Sequence, residues 1–224
     1  MKAILGRPNF DDATSYTFSF AEEILEWCRQ AKIDVVELAK GEAVRERVEE
    51  QLKKGTDLFI FYDHGDEGAL IGQDERPVID LSNCHWLADK EVYTLACLSA
   101  RTLGAEIWRQ GGKYWGYTEV VGFTTDALKE FKEAFNCGFL YMFIEGAPHE
   151  DALNKARETF DRLASELVSQ GKIMAAIYMR KNGESLVAYN THEPGENSGG
   201  SGGGCLLGLL KAPLGIFKGL FRKG

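Results

Sequence analysis

Two of the most strand-like runs in the chain end in residues able to do chemistry. Leu58-Phe59-Ile60-Phe61-Tyr62 continues into Asp63-His64-Gly65, and Val92-Tyr93-Thr94-Leu95-Ala96 continues into Cys97-Leu98-Ser99. A thiol and an imidazole at the ends of neighbouring parallel strands would emerge at one sheet edge. They would be close enough for the ring to take the thiol proton and leave a nucleophile. Gly65 lets the backbone approach a ligand closely, so its N–H, with that of Cys97, could form an oxyanion hole for a carbonyl oxygen gathering charge. A helix starting near Ala100 would add its positive end and favour the thiolate. A single cysteine after an apolar strand is usually a small buried residue, and a lone His-Gly is a common loop. What distinguishes this pair is that both occur at successive strand ends. Asp63, next to His64 on a strand, is expected to point to the opposite face.

The elements that would place these residues alternate along the chain. Strand-like runs occur at Lys2–Gly6, Asp34–Leu38, Asp57–Tyr62, Glu91–Ala96, Lys113–Val121 and Leu186–Tyr189, with a small hairpin at Ala69–Ile71 and Pro77–Ile79. Helical periodicity covers Phe18–Lys32, Glu42–Lys54, about Thr102–Gln110, Thr125–Ile144, His149–Ser169 and Ile173–Lys181, and Asn182-Gly183 reads as a turn. The run at Asp57–Tyr62 is continuously apolar, as for a strand covered on both faces. Such alternation predicts an α/β fold, a mainly parallel sheet between helix layers, with active residues just past the carboxyl ends of the strands. Cys84-His85 taken with His64 and Cys97 fits no zinc-ligand spacing, and no metal site is expected. Neither a phosphate loop nor a dinucleotide glycine motif is present, and no cofactor is implied.

Strand–His-Gly, a hairpin-bearing insertion, then strand–Ala-Cys resembles the cysteine peptidase clan of caspases, gingipains, clostripain, separase and the bacterial CHAT domains. The 33-residue spacing from His64 to Cys97 is nearer to gingipains and CHAT proteins than to caspases, whose histidine lies roughly 50 residues upstream. Gly111-Gly112-Lys113-Tyr114-Trp115-Gly116-Tyr117 falls where CHAT domains carry a Gly-Gly-Ala-x-x-Val-x-Gly strand. Gly146-Ala147-Pro148 and Glu150-Asp151-Ala152-Leu153-Asn154-Lys155-Ala156 are similar to their Gly-x-(Ser/Pro)-x-x-x-Ala-Leu-x-x-Ala. The caspase signature Gln-Ala-Cys-x-Gly is replaced by Leu95-Ala96-Cys97-Leu98-Ser99, which argues against aspartate specificity. The resemblance implies a three-layer α/β/α sandwich with a six-stranded, mainly parallel sheet over residues 1–190. It also implies a cysteine endopeptidase in which Cys97 is the nucleophile, His64 the general base and then acid, and Gly65 and Cys97 the oxyanion hole. Specificity would lie in the loop after the fifth strand, where Glu119 and Asp126 could select a Lys or Arg side chain. Asp126 also reads as part of a helix start. The rival expectation is a non-catalytic module of the same fold that carries the C-terminal tail to membranes or partners.

The chain has 224 residues and a net charge of −8, ordinary globular composition whose acidity argues against a general nucleic-acid binder. The start Met1-Lys2-Ala3-Ile4-Leu5 breaks at Gly6-Arg7-Pro8 and is not a signal peptide, and five cysteines show no paired spacing. The expectation is a cytoplasmic protein with reduced thiols. The average hides an asymmetry. Residues 191–204 form a Gly/Ser-rich linker, and residues 205–224 carry +4 against −12 for everything before them. On a helix Lys211, Lys218 and Arg222 fall within about 40° of one another, while Phe217, Phe221, Ile216 and six leucines fill a wide apolar arc. This tail is too interrupted to span a bilayer and suits a peripheral position on an anionic membrane surface.

Overall fold

The structure, a computed structural model, describes residues 1–190. The linker and the tail, with Lys211, Phe217, Lys218, Phe221 and Arg222, lie outside the described residues. The chain opens with β1 (Lys2–Arg7), α1 (Asp12–Gln30), β2 (Asp34–Ala39) and α2 (Arg45–Lys53). It continues through β3 (Leu58–Tyr62), the hairpin β4 (Ala69–Ile71) and β5 (Pro77–Asp80), β6 (Glu91–Leu95) and α3 (Ala105–Arg109). It closes with β7 (Lys113–Tyr117), α4 (Leu128–Phe139), α5 (His149–Ser169), α6 (Ile173–Ser185) and β8 (Leu186–Tyr189).

Six strands form one sheet in the order β2-β1-β3-β6-β7-β8, parallel throughout except for the antiparallel β7–β8 pair. The period of two sorts β3 between two cores. Leu58, Ile60 and Tyr62 pack with α1, α4, α5 and α6, whereas Phe59 and Phe61 pack with α2, α3 and the hairpin. That is the three-layer α/β/α sandwich the sequence led us to expect, with both sheet faces buried. Close approach between layers depends on Gly138, where a methyl group would lie 2.2 Å from Trp115 Cζ2. Among the described residues no helix is long and apolar enough to cross a membrane.

Several boundaries differ from the sequence reading, each for a local reason. α1 starts at Asp12, well before Phe18, because Asp11 caps it. Asp11 Oδ1 accepts the Thr14 N–H at 2.7 Å and Thr14 Oγ1 accepts the Asp11 N–H at 2.9 Å. β7 stops at Tyr117 instead of reaching Val121, where its pairing with β8 ends. The helix expected at Thr102–Gln110 is present but starts at Ala100, with a π-helical turn over Ala100–Gly104 that continues into α3. Asn182-Gly183 is not a turn but lies inside α6. A side chain at Gly183 would meet Phe160 Cβ at 2.8 Å, so the packing of α6 on α5 selects glycine there and overrides its weak helix preference.

Candidate active site

The strand order reverses around β1. β2 lies on one side of it and β3 on the other, which opens a crevice at the carboxyl ends of β1 and β3. Three loops meet there: residues 8–11 after β1, Asp63-His64-Gly65 after β3, and Ala96-Cys97-Leu98 after β6. β3 and β6 are neighbours, with Tyr62 opposite Leu95, and the Asp63 N–H continues the ladder onto Leu95 O at 3.1 Å. The chain thereby delivers His64 and Cys97 to one cavity of about 70 Å³, which Thr14, Thr17, Val121 and Phe123 also line.

Cys97 Sγ accepts the Val121 N–H at 3.3 Å. The following residue, Leu98, adopts φ +59°, a left-handed turn that carries the chain sharply away from the strand. Burial pushes the Cys97 thiol above its ordinary value, and the Val121 N–H opposes that rise. A helix does begin at Ala100 as expected, its first turn a π-helix over Ala100–Gly104 that runs directly into α3. Cys28, Cys84 and Cys137 are buried away from the cavity. Burial holds Cys28 at about 11 and Cys137 at about 12, unreactive as thiols.

Gly65 lies against the Cys97 turn, where a methyl group would sit 2.9 Å from Cys97 O and 3.0 Å from Ala96 Cβ. Its bridge to Leu70 is closed by Ile71 N–H on His64 O and Asp66 N–H on Ala69 O, which leaves the Gly65 N–H itself unused. The Cys97 N–H donates to no backbone acceptor among the described residues either. These are the two N–H groups expected to form the oxyanion hole, and neither donates to a backbone acceptor among the described residues.

Sequence reasoning did not find the partner of the imidazole. It is Asp11, whose Oδ2 lies 2.8 Å from His64 Nε2, while the Phe10 ring packs on the imidazole at 5.6 Å between centroids. Asp11 thus caps α1 through one oxygen and holds His64 through the other. Burial would raise the Asp11 carboxyl, but the Thr14 N–H and His64 outweigh it and keep the group below the ordinary carboxylate value. Gln73, on the hairpin, fixes this loop by a two-point bond to Asn9, accepting its N–H at 2.7 Å and donating to its carbonyl at 3.0 Å. The Asp11-x-x-Thr14 spacing was a visible cap signal, although nothing in it announced His64 as a second partner. The two roles should separate by substitution. Asp11→Asn is expected to keep the cap and the thermal midpoint yet lower turnover about tenfold or more. Asp11→Ala should lose the same turnover and about 1 kcal/mol of stability besides.

The acids assigned to side-chain selection are not at the cavity. Glu119 lies beyond β7, exposed, with Oε1 2.5 Å from an Arg101 amino nitrogen, and it faces a separate surface groove bounded by Tyr178 and Glu184. Asp126 is exposed in a single turn before α4. The acid that does line the cavity is Asp63. Its expected outward direction fails because β3 ends at Tyr62, and alternation ends with it. Asp63 is 5% exposed, and no group makes a well-formed hydrogen bond to either carboxyl oxygen, the His64 backbone N–H lying near but out of good geometry. Burial pushes its pKa up to about 8, the nearby Asp11 charge adds to this, and the His64 backbone N–H offsets only part. Compared with known proteins, the chain matches no protein-family model and no curated protein, so its chemistry must be argued from the geometry of this cavity.

Proposed function

We propose that the protein is a cysteine endopeptidase that cleaves on the carboxyl side of Lys or Arg. The observation that carries this reading is the convergence on one cavity of Cys97 and of His64, itself tethered to Asp11. An Nε2–H donated to Asp11 leaves Nδ1 as the basic nitrogen of His64, and Nδ1 takes the Cys97 proton. The thiolate attacks the peptide carbonyl carbon, and the oxygen becomes an oxyanion held by the Gly65 and Cys97 N–H groups. The imidazolium returns its proton to the leaving amine as the C–N bond breaks, giving a thioester. Water, deprotonated by the same imidazole, then releases the acid and restores the thiol.

Selection of a basic side chain follows from Asp63. An unpartnered buried carboxyl beside the apolar walls of Leu95, Ala96 and Phe123 suits a methylene stem ending in a cation. The membrane role of residues 205–224 belongs to the same proposal and rests on sequence alone. A peptidyl-lysine acyloxymethyl ketone tests the reading directly. The Cys97 sulfur should displace the carboxylate and form a thioether found by mass spectrometry on the Cys97 peptide. No adduct on Cys97, with the chain folded, would favour the non-catalytic module instead.

A further inference from the structure

The segment 118–124 between β7 and α4 has no regular ladder, yet it supplies the backbone group that touches the nucleophile, Val121 N–H. What holds this segment is Asn182. Its carboxamide is 1% exposed within α6, accepts the Gly122 N–H at Oδ1 (3.1 Å) and donates from Nδ2 to Gly122 O (2.7 Å). The two bonds do for Gly122 what a neighbouring strand would do, and they fix the residue adjacent to Val121 from both sides of its peptide groups. Gly122 reaches this position only without a side chain, since a methyl group would lie 2.6 Å from Tyr178 Cδ1 on the same helix. The start of the segment is fastened to the end of α6 as well, through the Thr118 N–H on Ser185 O at 2.9 Å. α6 is seated on α5 by the Gly183–Phe160 approach, so the anchor is rigid.

We propose that Asn182 is a positioning residue for Cys97, keeping the Val121 N–H on the sulfur so that a thiol in a buried site can still ionise. A donor aimed at sulfur stabilises the thiolate more than the thiol, and it does so only while the donor stays within reach. The inference rests on Cys97 being the nucleophile, but its test needs no turnover.

The experiment is the pH profile of Cys97 alkylation by iodoacetamide in the full chain, read on the Cys97 peptide by mass spectrometry with Cys205 as internal reference. In Asn182→Ala the rate at pH 7.5 is expected to fall about tenfold, with the difference closing at high pH where both thiols are ionised. Ser185→Ala removes only a hydroxyl bond to Asn182 O at 3.1 Å and should leave the profile in place. If near-UV circular dichroism shows that Asn182→Ala is unfolded, Gly122→Ala tests the same clamp from its other side and should show the same shift. A wild-type profile in the folded variant, or an equal shift in Ser185→Ala, overturns the proposal. Failure of the peptidase reading looks different: Cys97 alkylates, its profile responds to Asn182, and no peptide is cleaved.

Discussion

Replacing Cys97 with alanine is expected to lower peptide hydrolysis by at least roughly 10³-fold while the fold persists. The loss should be that large because no other thiol among the described residues lines the cavity. Cys28, Cys84 and Cys137 are buried, and all three have thiols raised by burial. The fold should persist because alanine suits the small space at a strand end. The substitution removes the Val121 N–H on sulfur and the long S–H contact to Val121 O at 3.9 Å, about 1 kcal/mol and a few degrees in thermal midpoint for a domain of this size. Cys84→Ala is the control. Its sulfur packs near Leu81 O and the Gln110 amide on the far core, and cleavage should be unchanged. Wild-type turnover in Cys97→Ala would end the dyad assignment.

That His64 and Cys97 reach one cavity was legible because it follows from two local signals, apolar runs long enough to be buried strands and polar residues at their ends. Parallel neighbours then bring the ends together without any knowledge of side-chain contacts. What was not legible depends on how segments distant in sequence meet. Asp11 reaches His64 across 53 positions, and Asn182 reaches Gly122 across 60. Asn182 carried only a local reading, a turn, which was wrong; Asp11 carried none, because the first helix was expected to start at Phe18. The Asn-Gly pair has a turn's chemistry, but its carboxamide bonds a remote backbone and its glycine admits Phe160, so helix α6 runs through it. The placement of Glu119 differs from the expected one in another way. It assumed that a charge beside the expected site faces the site, whereas Glu119 is bound outward by Arg101.

Asp63→Asn is expected to make the protein more stable and less selective at the same time. In the folded chain the Asp63 carboxyl titrates at about 8, against an ordinary value near 3.9 in an unfolded chain. Between those values the folded state holds a proton that the unfolded state has lost, so stability falls as pH rises. The slope is about 1.4 kcal/mol per pH unit for this one group, and the penalty stops growing above pH 8. Asparagine cannot ionise, so the advantage of the variant over the wild type should widen by about that slope between pH 5 and pH 8 in urea unfolding. The same proton governs substrate. A lysine ammonium entering the cavity stabilises the carboxylate and drives the proton off, so KM for a Lys substrate should fall as pH rises toward 8 and then level. A substrate with an uncharged side chain at that position should show no such trend. Asp63→Asn should abolish the trend and reduce kcat/KM on Lys substrates about 10²- to 10³-fold, the cost of leaving a cation in an apolar cavity without its counter-charge. A variant that keeps its preference for lysine would place the selecting acid elsewhere. One whose stability tracks the wild type across pH would mean that Asp63 is ionised in the folded chain, with a partner not yet seen.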